Sequence, residues 1–78
     1  MRAVQQEVTV MPQAGHPRHL SWQGRTWAVQ AILDQWRSGG RWWLGEVPRD
    51  CYLVQAGPLT AELHREEGGR WWLARVQD

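Results

Sequence analysis

Nine residues occur almost twice in this chain of 78: Gly39-Gly40-Arg41-Trp42-Trp43-Leu44-Gly45-Glu46-Val47 and Gly68-Gly69-Arg70-Trp71-Trp72-Leu73-Ala74-Arg75-Val76 agree at seven positions. Each copy is a glycine pair feeding a tryptophan-rich apolar stretch, the pattern of a hairpin turn followed by a strand. A weaker third copy, Gly24-Arg25-Thr26-Trp27, opens another apolar stretch. A chain punctuated this way is confined to short turn-then-strand units. Gly40 and Gly69 are expected at positive φ, where a Cβ would be strained.

The rest of the chain repeats the scheme. Glu7 to Met11 alternates in period two and stops at Pro12; Gln13 to Pro17 reads as a loop; Arg18 to Trp22 resumes as a strand. Gln23-Gly24 is a tight turn, and Arg25 to Leu33 returns. Asp34 to Ser38 continues as strand or one helical turn, and Arg41 to Val47 is the next strand. Cys51 to Ala56, Leu59 to His64 and Arg70 to Arg75 complete the set, separated by Pro48-Arg49-Asp50, Gly57-Pro58 and Glu66 to Gly69. Val29, Leu33 and Trp36 also have helical spacing, but β-branched and aromatic flanks favour a strand. The predicted fold is all-β. One small domain, 1–78, forms an antiparallel barrel or strongly bent sheet of six to seven short strands joined by Gly-rich hairpin turns.

A domain of this size buries only about 60% of the surface that its unfolded chain exposes. Cys51 is the single cysteine, so no internal disulfide can compensate. Seven tryptophans can, since each large aromatic side chain buries roughly 150–250 Å². The lone thiol suits a reducing cytoplasm, and there is neither a leader-like segment nor an apolar run long enough to span a bilayer. A cytoplasmic location without membrane association is expected.

Strand parity divides the repeated motif. Adjacent residues point to opposite faces, so Trp42 and Trp43 cannot share a face, nor can Trp71 and Trp72. The expected core is Val8, Val10, Leu20, Val29, Trp43, Val54, Leu63, Trp72 and Val76. Trp42 and Trp71 on the opposite face, each with its neighbouring arginine, Arg41 and Arg70, are then the expected partner-binding surface, unless another segment or subunit covers it.

No nucleophile elbow, phosphate-binding glycine loop or paired carboxylates are present, so no catalytic residues and no cofactor are expected. His16, His19, Cys51 and His64 could supply four metal ligands, but His-x-x-His spans Pro17 and no second tight ligand pair exists. No metal site is expected. Formal charge is +1, which provides no broad polycation for nucleic acid. All nine basic residues are arginine. Arg25/Trp27, Trp36/Arg37, Arg41/Trp42 and Arg70/Trp71 interleave cation and indole, the combination that binds single strands by phosphate contact and base stacking. Tryptophan and arginine are equally the residues enriched in protein-interface hot spots. The composition thus leaves two readings: a non-enzymatic protein-interaction module, or a single-stranded nucleic-acid-binding protein.

From Trp36 onward an ordered set of motifs narrows the context: Trp36-x-Ser38-Gly39-Gly40-x-Trp42-Trp43, Arg49-Asp50-x-Tyr52-x-Val54, Glu62-Leu63-x-Arg65-Glu66, Gly69-Arg70-Trp71-Trp72-Leu73, and Asp78. This pattern resembles the C-terminal module of ImuB-like proteins, the inactive Y-family-polymerase relatives of bacterial damage tolerance. It is also similar to short stand-alone proteins of unknown function from high-GC bacteria. The resemblance implies an accessory module beside a polymerase assembly, with a protein partner in DNA repair or replication. It covers a little over half of the chain and lacks the polymerase-like body, so none of that body's DNA contacts are implied. No clamp-binding peptide is visible. Self-association as a homodimer through the tryptophan/arginine row is the rival arrangement.

Overall fold

The computed structural model describes residues 1–77, with the side chain of Trp42 outside that description. Six strands follow in chain order: β1 (Arg2–Gln13), β2 (His16–Trp22), β3 (Arg25–Ser38), β4 (Arg49–Ala56), β5 (Leu59–Glu66) and β6 (Trp71–Gln77). Each pairs antiparallel with the next, and β6 returns to β1 to close a barrel. The all-β barrel expected from the turn spacing is what forms. Gly40 and Gly69 have φ of 94° and 88°, as their turns require.

Two long strands shape the barrel. β1 pairs with β6 through Arg2 to Val8 and with β2 through Thr9 to Gln13, so one strand serves two sides of the structure. It runs through Pro12, where a strand end was expected. The register shifts between Met11 and Pro12, and such an irregularity accommodates a residue that lacks an N–H. β3 pairs with β2 only from Arg25 to Ala28, then continues against β4 as far as Ser38. The helical alternative over Val29 to Arg37 is therefore excluded. Gln30 and Leu33 drop out of the β3–β4 register as bulges, which twist a one-sided strand and discourage further pairing.

The first copy of the repeat is not a strand. Arg41 to Val47 lies in the β3–β4 loop, whose one regular piece is a turn of 3₁₀ helix at Trp42–Leu44. Gly39, Gly40 and Gly45 all have positive φ, at 79°, 94° and 73°, which breaks extended backbone three times. The Arg41 carbonyl then accepts from Leu44 N at 2.9 Å and Glu46 N at 3.4 Å, closing the segment on itself. The loop has an additional steric demand at Gly39, where a Cβ would lie 2.7 Å from the Val47 carbonyl oxygen.

The core contains Val10, Leu20, Val29, Val54, Leu63 and Val76 as expected, with Val8 packed at its edge. The tryptophan assignments are reversed. Trp71 is buried at 5% exposure and belongs to the core, Trp72 is only partly buried, and Trp43 is 65% exposed. Trp43 is displaced because its segment is a loop. Trp71 and Trp72 exchange roles because β6 carries a bulge. Leu63 pairs with Leu73, but Glu62 pairs with Arg75, so Ala74 is an extra residue. Parity switches there, and Trp71, Leu73 and Val76 all face inward. Each large core aliphatic of this kind contributes about 1.5–3 kcal/mol on burial.

Candidate interaction surfaces

Arg41, Arg70 and Trp71, three of the four residues expected to bind a partner, do not present one open surface. Trp71 lies inside the barrel, its ring centroid 5.7 Å from that of Tyr52 and inclined 38° to it, with the Arg65 guanidinium 5.8 Å from the indole. Its indole is thus engaged within the domain. Arg70 sits in the β5–β6 turn and forks onto Glu7, Nε donating to Oε2 at 3.2 Å and Nη2 to Oε1 at 3.3 Å. The same guanidinium lies 5.5 Å from the Trp72 ring. Hydrogen bonding and charge within this pair hold the Glu7 carboxyl below its ordinary range and raise Arg70. Arg41 is similarly committed, its Nη2 lying 2.5 Å from Glu46 Oε1. That contact lowers Glu46 and raises Arg41. The fourth expected residue, Trp42, has its side chain outside the described residues.

What the β3–β4 loop does present is apolar. Trp43 is 65%, Leu44 61% and Val47 47% exposed, and Trp36 at the end of β3 adds a further indole at 37%. The loop is tied down rather than loose: besides the Arg41–Glu46 pair, Arg41 N donates to Glu46 Oε2 at 3.4 Å. Ser38 pairs with Arg49 at the base of the loop, and Arg37 bonds Asp50 at 2.7 Å.

The opposite mouth of the barrel holds a second constellation. There the β2–β3 turn, the β4–β5 turn and the start of β1 enclose a depression of about 430 Å³ lined by Arg2, Trp22, Arg25, Trp27, Pro58 and Leu59, together with Gln23. Trp22 Nε1 donates to Gln6 Oε1 at 3.0 Å, which fixes its ring. Trp27 rests its edge on Gly57: a Cβ there would lie 2.6 Å from Trp27 Cδ1. The two indoles are tilted 45° with centroids 6.5 Å apart, and Arg2 lies 5.9 Å from the Trp22 ring.

A family model for a domain of unknown function matches residues 1–78, the whole chain. The chain belongs to the DUF6504 family. No curated protein and no solved structure matches it.

On the outer face of this DUF6504 domain, Trp36 pairs with Cys51, Cys51 with His64, and His64 with Trp72, one row across four strands. His64 Nε2 is 2.7 Å from Glu62 Oε2, and Arg75 approaches the same carboxylate at 3.7 Å. Cys51 is fully buried, and burial, with the neighbouring Glu62 charge adding to it, pushes its thiol up. This is the opposite of an activated nucleophile, whose thiolate must be favoured. Among the described residues no group of three or more His, Cys, Asp or Glu could hold a metal ion.

Of the features on the DUF6504 surface, Arg25 with Trp27 carries a visible signal in the sequence, the alternation of cation and indole two residues apart. Trp22 follows from the same β2–β3 hairpin, in which it pairs with Arg25, whereas Arg2 carries no signal, because it joins the site only when β1 closes the barrel. The exposed Trp43/Leu44/Val47 cluster reads as strand in the sequence and is revealed as a loop only by the backbone.

Proposed function

We propose that this DUF6504 domain is a non-enzymatic docking module that acts in the cytoplasm and binds a protein partner in a DNA damage-tolerance assembly through its β3–β4 loop. The observation that carries this reading is the outward display of Trp43, Leu44 and Val47 on one short loop. Large apolar side chains on a loop that a rigid sheet positions are the usual anchors of an interface. The Arg41–Glu46 pair and the backbone bonds around it order the loop in advance, which reduces the ordering cost of association. The choice of partner rests on the resemblance of the pattern from Trp36 to Asp78 to the C-terminal module of ImuB-like proteins.

The test is surface-immobilised binding of a purified inactive Y-family-polymerase relative, measured against the parent domain and the Trp43→Ser and Leu44→Ser variants. Leu44 is mostly exposed, so its variant should melt like the parent while losing binding, and Trp43→Ser should lose binding as well. Equal binding by parent and variants would remove the loop as the docking element. Light scattering that shows the loop joining two copies of this chain would replace the proposed partner with self-association.

A further inference from the structure

Among the nine arginines, Arg37, Arg41, Arg49, Arg70 and Arg75 are matched with carboxylates. Among the described residues, Arg2, Arg18, Arg25 and Arg65 have no such partner, and two of these four, Arg2 and Arg25, meet at the mouth that holds Trp22 and Trp27. Among the described residues no acidic side chain lines that mouth, so its local field is positive although the chain as a whole is nearly neutral. The volume of about 430 Å³ falls in the range of about 300–1,000 Å³ typical of ligand sites.

We infer that the Arg2–Trp22–Arg25–Trp27 mouth binds a nucleoside phosphate unit of a single-stranded nucleic acid. Two features select this chemistry. The indoles are set in advance, Trp22 by its bond to Gln6 and Trp27 by its seat on Gly57, and their mutual tilt leaves them unstacked on each other. Trp22, buried in the core at 7% exposure with Arg2 over its ring, backs the partly exposed Trp27, and a planar ring can be received against Trp27, a contact that every base can make. The two guanidiniums beside it are exposed and, among the described residues, without a carboxylate, and each can fork onto phosphate oxygens. A duplex hides its base faces within the stack, so the unpaired strand is the form that fits. The site lies at the end of β4 opposite the docking loop, and it stands whether or not that loop binds a protein.

Fluorescence anisotropy of a short labelled oligothymidine at low salt tests this directly. The parent domain should bind, and binding should weaken as salt rises. Arg25→Ala and Arg2→Ala should each weaken it by about tenfold and reduce the magnitude of the salt slope by about 0.7, the increment for each phosphate neutralised on a single strand. Trp27→Phe should retain binding and Trp27→Ala should lose it. The arginine variants keep the test decisive should Trp27→Ala unfold. Arg70→Ala, which removes a guanidinium already held by Glu7, should leave binding unchanged. Competition by unlabelled oligothymidine but not by free thymidine monophosphate is expected. Competition by the free nucleotide at equal concentration would uphold the site and assign it to free nucleotides. Absence of binding at low salt would overturn the inference. So would an Arg18→Ala variant as impaired as Arg25→Ala, because Arg18 also lacks a carboxylate among the described residues but lies outside the mouth.

Discussion

Trp71 and Tyr52 meet inside the barrel at a centroid separation of 5.7 Å, and the Tyr52 hydroxyl donates to the Gly15 carbonyl at 3.2 Å. These two interactions link β6, β4 and the tip of the β1–β2 hairpin. Trp71→Ala should cost about 3–5 kcal/mol, as for other fully buried large aromatics. Trp72→Ala removes a partly buried indole and should cost about 1–2 kcal/mol. Urea denaturation of the two variants checks the order, and a larger loss at Trp72 would contradict the inward placement of Trp71.

Gly57 and Gly24 both occupy left-handed backbone, at φ of 59° and 74°, but only Gly57 has a neighbour in the way. Gly24→Ala should cost about 1 kcal/mol from backbone strain alone. Gly57→Ala adds a methyl against the Trp27 ring and should cost about 2–4 kcal/mol, combining strain with overpacking. It should also shift tryptophan emission, which Gly24→Ala should not.

The Glu7–Arg70 fork makes stability depend on acid in a defined direction. Folding lowers the Glu7 pKa beneath its ordinary 4.5, so the folded state favours the carboxylate. The contribution is fully present above pH 4.5 and is lost as pH falls through the lowered folded value. Both side chains are exposed, so the effect should be small and should shrink with added salt. Urea midpoints of Glu7→Gln against the parent should converge at acidic pH and separate above it.

Cys51 should behave as a reporter of opening. Its thiol is fully buried and its pKa is raised by burial, so a disulfide reagent should modify the native protein slowly at neutral pH. Reaction should accelerate to the rate of an ordinary thiol in denaturant. Fast modification of the native state would show that the outer face around Cys51 opens without global unfolding.

The strand pattern was legible because glycine turns and period-two alternation are local properties, and Leu59 to His64 and Cys51 to Ala56 lie where that alternation places them. The two copies of Gly-Gly-Arg-Trp-Trp-Leu diverge for reasons that are not local. Residues 71–77 find ladder partners in β1 and β5, whereas Arg41 to Val47 is interrupted by Gly45 and drawn into a turn by the Arg41–Glu46 pair. The extra residue at Ala74 is invisible to a period count, yet it decides which tryptophan enters the core. Trp22, Arg25 and Trp27 are neighbours in one hairpin, but Arg2 reaches them only in three dimensions, from the far end of β1.

Closure of β6 on β1 pairs Arg2 with Val76, residues far apart in the sequence. Contacts of such separation demand loop closure before they return any stabilisation, and they slow the search for the native state. The ring cannot form until β6 is available, so a nascent chain must hold β1 and β5 with unsatisfied edges until β6 has been synthesised. A truncation that removes β6 should therefore expose two edges at once and direct the chain toward aggregation rather than toward a smaller folded domain.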